Sequence, residues 1–129
     1  MSKKLVTKAL MARKAAYAPY SGFQVGAAVE TEDGRIFTGC NVENVSYGLT
    51  NCAERTAIFS AVAAGYTKLT TLAVTADSGE PVAPCGACRQ VMVEFGIRKI
   101  IMVNLKGMRR ECSIEELLPF AFKADLKQE

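Results

Sequence analysis

The spacing of apolar positions changes several times along the chain, and each change marks an element. Leu5, Ala9, Ala12 and Ala16 recur at spacings of four, three and four, which lines small apolar side chains along one face of an N-terminal helix that Pro19 terminates. Such a helix is suited to cover one face of a sheet. From Gln24 to Thr31 small and β-branched residues dominate, Asp33-Gly34 marks a tight turn, and Arg35 to Cys40 reads as the returning strand of a hairpin. A polar stretch from Asn41 to Asn51 follows. Cys52 to Ala64 is then Ala-rich with helical spacing, Gly65 stops it, and Thr50 or Asn51 can cap its start.

Leu69 to Ala76 reads as a strand, Ser78 to Pro84 as a loop, Cys85 to Phe95 as a helix closed by Gly96, and Lys99 to Leu105 as a very apolar strand. Met108 to Cys112 adds a last strand. Ser113 with Glu116 spells a capping box for a short helix ending near Pro119, and the final residues read as frayed. Strands alternating with helices imply βαβ units. The predicted fold is α/β: a single domain over residues 1–129, a three-layer α/β/α sandwich around a five-stranded mixed sheet.

Composition narrows the function. With 129 residues, half of them apolar, the chain can bury a core without disulfide staples. The net charge of +3, without a long Lys/Arg tract, argues against a nucleic-acid polymer as partner. The first 29 residues carry basic and no acidic side chains, but Lys8, Arg13 and Lys14 break the apolar run of any leader peptide. No stretch approaches the roughly 20 apolar residues that span a bilayer, so no membrane partner is expected. His and Trp are absent, which leaves sulfur or carboxylate to hold any metal. Five cysteines, two of them in a C-x-x-C, point to a metal or redox site and a cytoplasmic location. The Lys3-Lys4 and Arg109-Arg110 pairs read as solvated surface.

Three cysteines fall at the starts of two helices: Cys52 opens one, and Cys85 and Cys88 lie in the first turn of the next. Helices that follow parallel strands begin at the strands' carboxyl edge, where open α/β sheets build their sites. A helix N-terminus carries partial positive charge, which lowers a thiol's pKa and favours the thiolate that zinc requires. Three protein ligands leave a fourth tetrahedral position for water, as in a catalytic site. Three thiolates more than neutralise Zn²⁺, so nearby positive charge is needed to keep that water acidic, and Arg55 is placed to provide it. Glu54 is too near Cys52 in sequence to be an easy co-ligand and is better placed as a proton shuttle.

Cys52-Ala53-Glu54 followed by Pro84-Cys85-Gly86-Ala87-Cys88 resembles the zinc nucleoside deaminase signature. The resemblance to cytidine deaminases extends through Tyr17-Ala18-Pro19-Tyr20-Ser21-Gly22-Phe23, Val25-Gly26-Ala27-Ala28, Gly39-Cys40-Asn41-Val42-Glu43-Asn44 and Glu116-Leu117-Leu118-Pro119, and it is to the short, homotetrameric, all-cysteine branch. It implies one zinc per subunit on Cys52, Cys85 and Cys88, with Glu54 as proton shuttle. The implied reaction is hydrolytic attack at C4 of cytosine, converting cytidine and deoxycytidine to the uridines and ammonia in pyrimidine salvage. The resemblance also implies a nucleoside-binding set: Asn41 and Glu43 on the sugar, Ala53 and Phe23 at the base pocket, and Phe122 from a neighbouring subunit, so that active sites lie at subunit interfaces. Phe120 stands where that tail motif frequently has glycine.

Other readings of the same residues remain open. The cysteines could form a structural zinc site with Cys40 or Cys112 as fourth ligand, although each of these sits in a strand pattern that suits a small core residue. Glu54 could be a first-turn acid complementing the helix dipole, and Arg55 a surface ion-pair partner. Asn41 and Glu43 could be turn residues, and Phe23 and Phe122 plain core or interface aromatics. Deamination of a nucleoside-like antibiotic such as blasticidin S is a further alternative.

Overall fold

The computed structural model describes residues 2–123. The elements run α1 (Ser2–Arg13), β1 (Val25–Thr31), β2 (Ile36–Cys40), a 3₁₀ turn (Tyr47–Leu49), α2 (Ala53–Ala63), β3 (Leu69–Ala76), α3 (Gly86–Glu94), β4 (Lys99–Asn104), β5 (Arg109–Ser113) and α4 (Ile114–Leu117). One five-stranded mixed sheet has the order β2-β1-β3-β4-β5. β3 and β4 pair in parallel, while β1 is antiparallel to both of its neighbours and β5 to β4. The crossover through α3 therefore joins adjacent parallel strands. The crossover through α2 joins β2 to β3, which run the same way but are separated by β1, an insertion that element order alone does not reveal.

Alternation along the strands sorts the core into two layers. Ala27, Val29, Leu72, Val74, Ile100 and Met102 face α2 and α3, packing on Ala57, Ile58, Ala61, Cys88 and Met92. Ala28, Ala73, Ile101 and Val103 face α1 through Leu5 and Ala9. Two strand glycines set how closely the helices approach. A Cβ on Gly26 would stand 2.6 Å from the Arg13 nitrogen in α1, and one on Gly39 would stand 2.8 Å from the Ala53 carbonyl oxygen in α2. Each helix backbone lies directly on its strand, and only a missing side chain permits it.

Three local expectations need correction. The first helix ends at Arg13, well before Pro19, so Ala16 is not on its stripe. Residues 14–16 tighten into i→i+3 bonds, and Tyr17 then donates to Asn41 O at 3.0 Å and pairs with Val42; the chain leaves the helix to build a loop against the segment after β2. Neither Thr50 nor Asn51 caps α2, whose N-cap is Cys52 in extended conformation. Thr50 Oγ1 accepts instead from Asn44 N at 3.1 Å, and Asn51 pairs with Val42 while its Nδ2 donates to Thr56 Oγ1 at 3.0 Å. The polar stretch 41–51 also holds the 3₁₀ turn, which no periodicity marks. The capping box of Ser113 and Glu116 is present as the sequence implies. Most of the tail read as frayed, residues 124–129, lies outside the described residues.

Candidate active site

Cys52 is the N-cap of α2 and Cys85 the N-cap of α3, with Cys88 in the first turn of α3. The two helices bring their positive ends together, and the three sulfurs lie within 4.8 Å of one another. Cys52 and Cys85 Sγ are 3.8 Å apart, Cys85 and Cys88 Sγ 3.4 Å. A tetrahedral zinc with bonds of about 2.3 Å requires sulfurs about 3.8 Å apart, so this thiol set fits one zinc ion with little movement. Cys40 and Cys112 are not part of it. Among the described residues the cluster contains only these three candidate ligands, Cys112 packs at the edge of the core, and burial pushes the Cys40 thiol pKa up. A fourth protein sulfur to close the site is therefore not at hand.

Electrostatics around the cluster follow from burial and one arginine. Cys52 is pulled down to about 5, chiefly because the Cys88 thiol donates to it and also because Arg55 lies alongside, against the opposing effect of burial. Arg55 Nη2 donates to Cys52 Sγ at 3.3 Å, and its own guanidinium is pushed further toward the charged form by that sulfur. Cys88 is pushed up, first by its hydrogen bond to the Cys52 sulfur and then by burial. Arg55 is thus not a surface ion-pair partner but a cation held against a sulfur.

Glu54 is 4 % exposed and stands outside the thiol cluster. Burial pushes its carboxyl up to about 7, Cys52 adds to the rise, and its own backbone amide and Arg55 oppose it. A first-turn acid that merely complemented the helix dipole would be solvated and ionised. This one is poised to gain or lose a proton near neutrality. Ala53, fully buried between Cys52 and Glu54, begins α2, where first-turn N–H groups lack helical partners.

The loop expected to hold the sugar and base packs next to this centre. Val42 pairs with Asn51, the residue before Cys52, and with Tyr17 on the other side. Asn41 is buried, its Oδ1 accepting from Val25 N and its Nδ2 donating to Phe23 O, both at 2.9 Å. Glu43 Oε1 accepts from Tyr20 N and Ser21 N at 3.0 Å each, and Oε2 accepts from the Ser21 hydroxyl. These donors hold the Glu43 carboxyl below its ordinary range. A cavity of about 320 Å³ lined by Tyr20, Ser21, Glu43, Tyr47 and Thr50 opens beside it. Asn41 and Glu43 are both wired to the segment that carries Phe23, which is 39 % exposed. Phe122 is the exception: 74 % exposed, it is held by its carbonyl, which accepts from Gln90 Nε2 at 3.0 Å.

Pattern reading missed several supports. Arg89 Nε donates to Pro84 O at 2.8 Å and Nη1 to Leu117 O at 2.7 Å. Buried Asn104 donates to Ser78 O at 3.0 Å and accepts from Lys106 and Met108 amides, fixing the loop that leads toward Cys85. The position of Arg89 directly after Cys88 was the one available signal for it. Asn104 offered only a polar residue at the end of an apolar strand.

Residues 1–104 match the model of the cytidine and deoxycytidylate deaminase zinc-binding region. A cytidine deaminase of Halalkalibacterium halodurans is 52% identical over 123 residues, covering 94% of this chain and 93% of that protein. One of Sporosarcina psychrophila is 53% identical over 127 residues, covering 96% and 93%. The crystal structure of a cytidine deaminase from Burkholderia pseudomallei superposes with a TM-score of 0.91 at 53% identity, over 95% of this chain and 99% of the other.

Proposed function

The chain belongs to the family of cytidine and deoxycytidylate deaminases that carry this zinc-binding region, and from that premise we propose that it hydrolyses cytidine and deoxycytidine to the corresponding uridines and ammonia. The observation that carries the reading is a buried carboxyl with its proton affinity near neutrality, two residues from one of three convergent thiols. Cys52, Cys85 and Cys88 would hold one zinc per chain, and zinc when bound supplies the Lewis acidity that makes water nucleophilic near pH 7.

The chain's own groups do the rest. Glu54 takes a proton from the attacking water, places it on the ring nitrogen, and later passes one to the leaving amine, which requires a carboxyl equally able to hold and release it. Arg55 offsets part of the thiolate charge through Cys52. Asn41 and Glu43, each with lone pairs or an N–H still uncommitted, bind sugar hydroxyls. Ala53 contacts the base at the start of α2, and Phe23 packs on it. A free nucleoside suits this small, preorganised loop, and its use would lie in pyrimidine salvage.

The reading includes a homotetramer whose subunits complete one another's sites with Phe122. Exposed apolar side chains on the 42–50 segment and α2 support it, since Val45, Tyr47, Leu49 and Phe59 all stand out from the surface. A reducing, cytoplasmic location is part of it too, supported by five free cysteines and the need for thiolates at the cluster. Among the described residues no helix is long and apolar enough to cross a membrane.

The test is loss of ultraviolet absorbance on incubation with cytidine, with zinc quantified in parallel, for the native chain and Glu54→Gln. Turnover that disappears in Glu54→Gln while fold and zinc are kept supports both the activity and the shuttle. A zinc-loaded tetramer inert toward cytidine but active on blasticidin S would replace the substrate. Indifference of every property except stability to Glu54→Gln would replace the enzyme with a structural zinc module.

A further inference from the structure

The second turn of α3 carries two side chains that reach in different directions. Arg89 spans from the carbonyl of Pro84, the residue before Cys85, to the carbonyl of Leu117 at the end of α4. Gln90 reaches the carbonyl of Phe122, five residues farther along the tail. Arg89 makes no ion pair within 4.0 Å among the described residues, where salt bridges involve Arg35, Lys99, Arg109 and Arg110. Its half-buried guanidinium is spent on backbone carbonyls instead.

Both carbonyls need such a donor. Pro84 is buried in an irregular segment that has left the β3 ladder, where an unpaired C=O is costly. Leu117 O lies at the C-terminal end of α4, where carbonyls have no helical partner and cations are favoured. A planar fork fixes both directions at once; an ammonium on a flexible stem cannot.

We propose that Arg89 is a positioning residue that holds the Cys85 turn in ligating geometry and, together with Gln90, references the Phe122 tail to the same helical turn. The zinc-binding turn of one subunit and the aromatic ring it presents to a neighbour are then parts of one rigid unit. This rests on the reading of Cys85 as ligand and Phe122 as an intersubunit contact. A disturbance of the Cys85 turn is thereby transmitted to the tail.

The experiment compares native protein with Arg89→Met, Arg89→Lys and Gln90→Leu, reading zinc release to a chromogenic chelator, kcat and KM for cytidine, and the melting temperature. Arg89→Met should release zinc about tenfold faster, the low end of what losing an outer support costs a metal site, and should raise KM. Arg89→Lys, able to satisfy one carbonyl, should recover part of the zinc retention. Gln90→Leu should raise KM with zinc release unchanged, and it serves as the informative variant if Arg89→Met does not fold. Native zinc release in Arg89→Met alongside a lowered melting temperature would overturn the positioning role, as would a native KM in Gln90→Leu for the tail. Zinc release reads the Arg89 role even if cytidine is not the substrate, so the two readings fail separately.

Discussion

Gly39→Ala probes how the active helix is seated. Gly39 lies on β2 opposite Ala27 and faces the first turn of α2. The new methyl would collide with Ala57 N and stand 2.8 Å from both Ala53 O and Thr56 C, where ordinary Cβ contacts begin near 3.4 Å. All of these are backbone atoms of one helix, so no flexible side chain can give way. Relief of the closest contact, with Ala57 N, requires α2 to withdraw from the sheet by about 1 Å, and this helix carries Cys52, Glu54 and Arg55. Overpacking of this kind costs about 1–3 kcal/mol, which for a chain of this length lowers the melting temperature by several degrees. A misplacement approaching 1 Å costs up to about 100-fold in rate, so kcat should fall roughly 10-fold or more, with faster zinc loss. Gly79→Ala, with nothing within 4 Å of the added Cβ, is the control and should match the native chain. Native kcat and native melting temperature in Gly39→Ala would refute the claim that backbone contact at Gly39 seats the helix.

Arg55→Ala should weaken zinc retention or displace the pH–rate profile, because it removes the cation beside Cys52; full zinc with an unchanged profile counts against the tuning role. Phe120→Gly should stabilise the chain by about 0.5–1 kcal/mol, since φ of 54° is left-handed backbone and the side chain is fully exposed. A lowered melting temperature would show that the ring is bound elsewhere in the assembly. Glu43, held below its ordinary 4.5 by Ser21 and Tyr20, contributes its loop contacts in full above that value and loses them as pH falls through its folded pKa. KM for cytidine should therefore rise on acidification below about 4.5, and Glu43→Gln should abolish that dependence; a native acid limb in the variant would assign it to another group.

Much of this was legible in the chain itself. Strand and helix periods, Gly65 and Gly96 as stops, and the Ser113 capping box depend on neighbours a few residues apart, so the local pattern carries them. The paired Cys-x-Glu and Cys-x-x-Cys spacing likewise placed thiols and a carboxylate at helix starts, because a helix N-terminus fixes where its first residues point. Tertiary structure alone decided the rest. The antiparallel insertion of β1 between β2 and β3 depends on strand pairing between residues as far apart as Val25 and Ala76, which no local period encodes. The early end of α1 and the displaced cap of α2 came with the bridges of Tyr17 and Asn51 to Val42, which outcompeted the local preferences for helix and cap. That Glu54 titrates near neutrality follows from its burial, and that Arg89 binds two distant carbonyls follows from α3 lying between them. Spacing along a chain determines which groups share an element; which elements meet, and how dry the meeting place is, is determined only when the chain has folded.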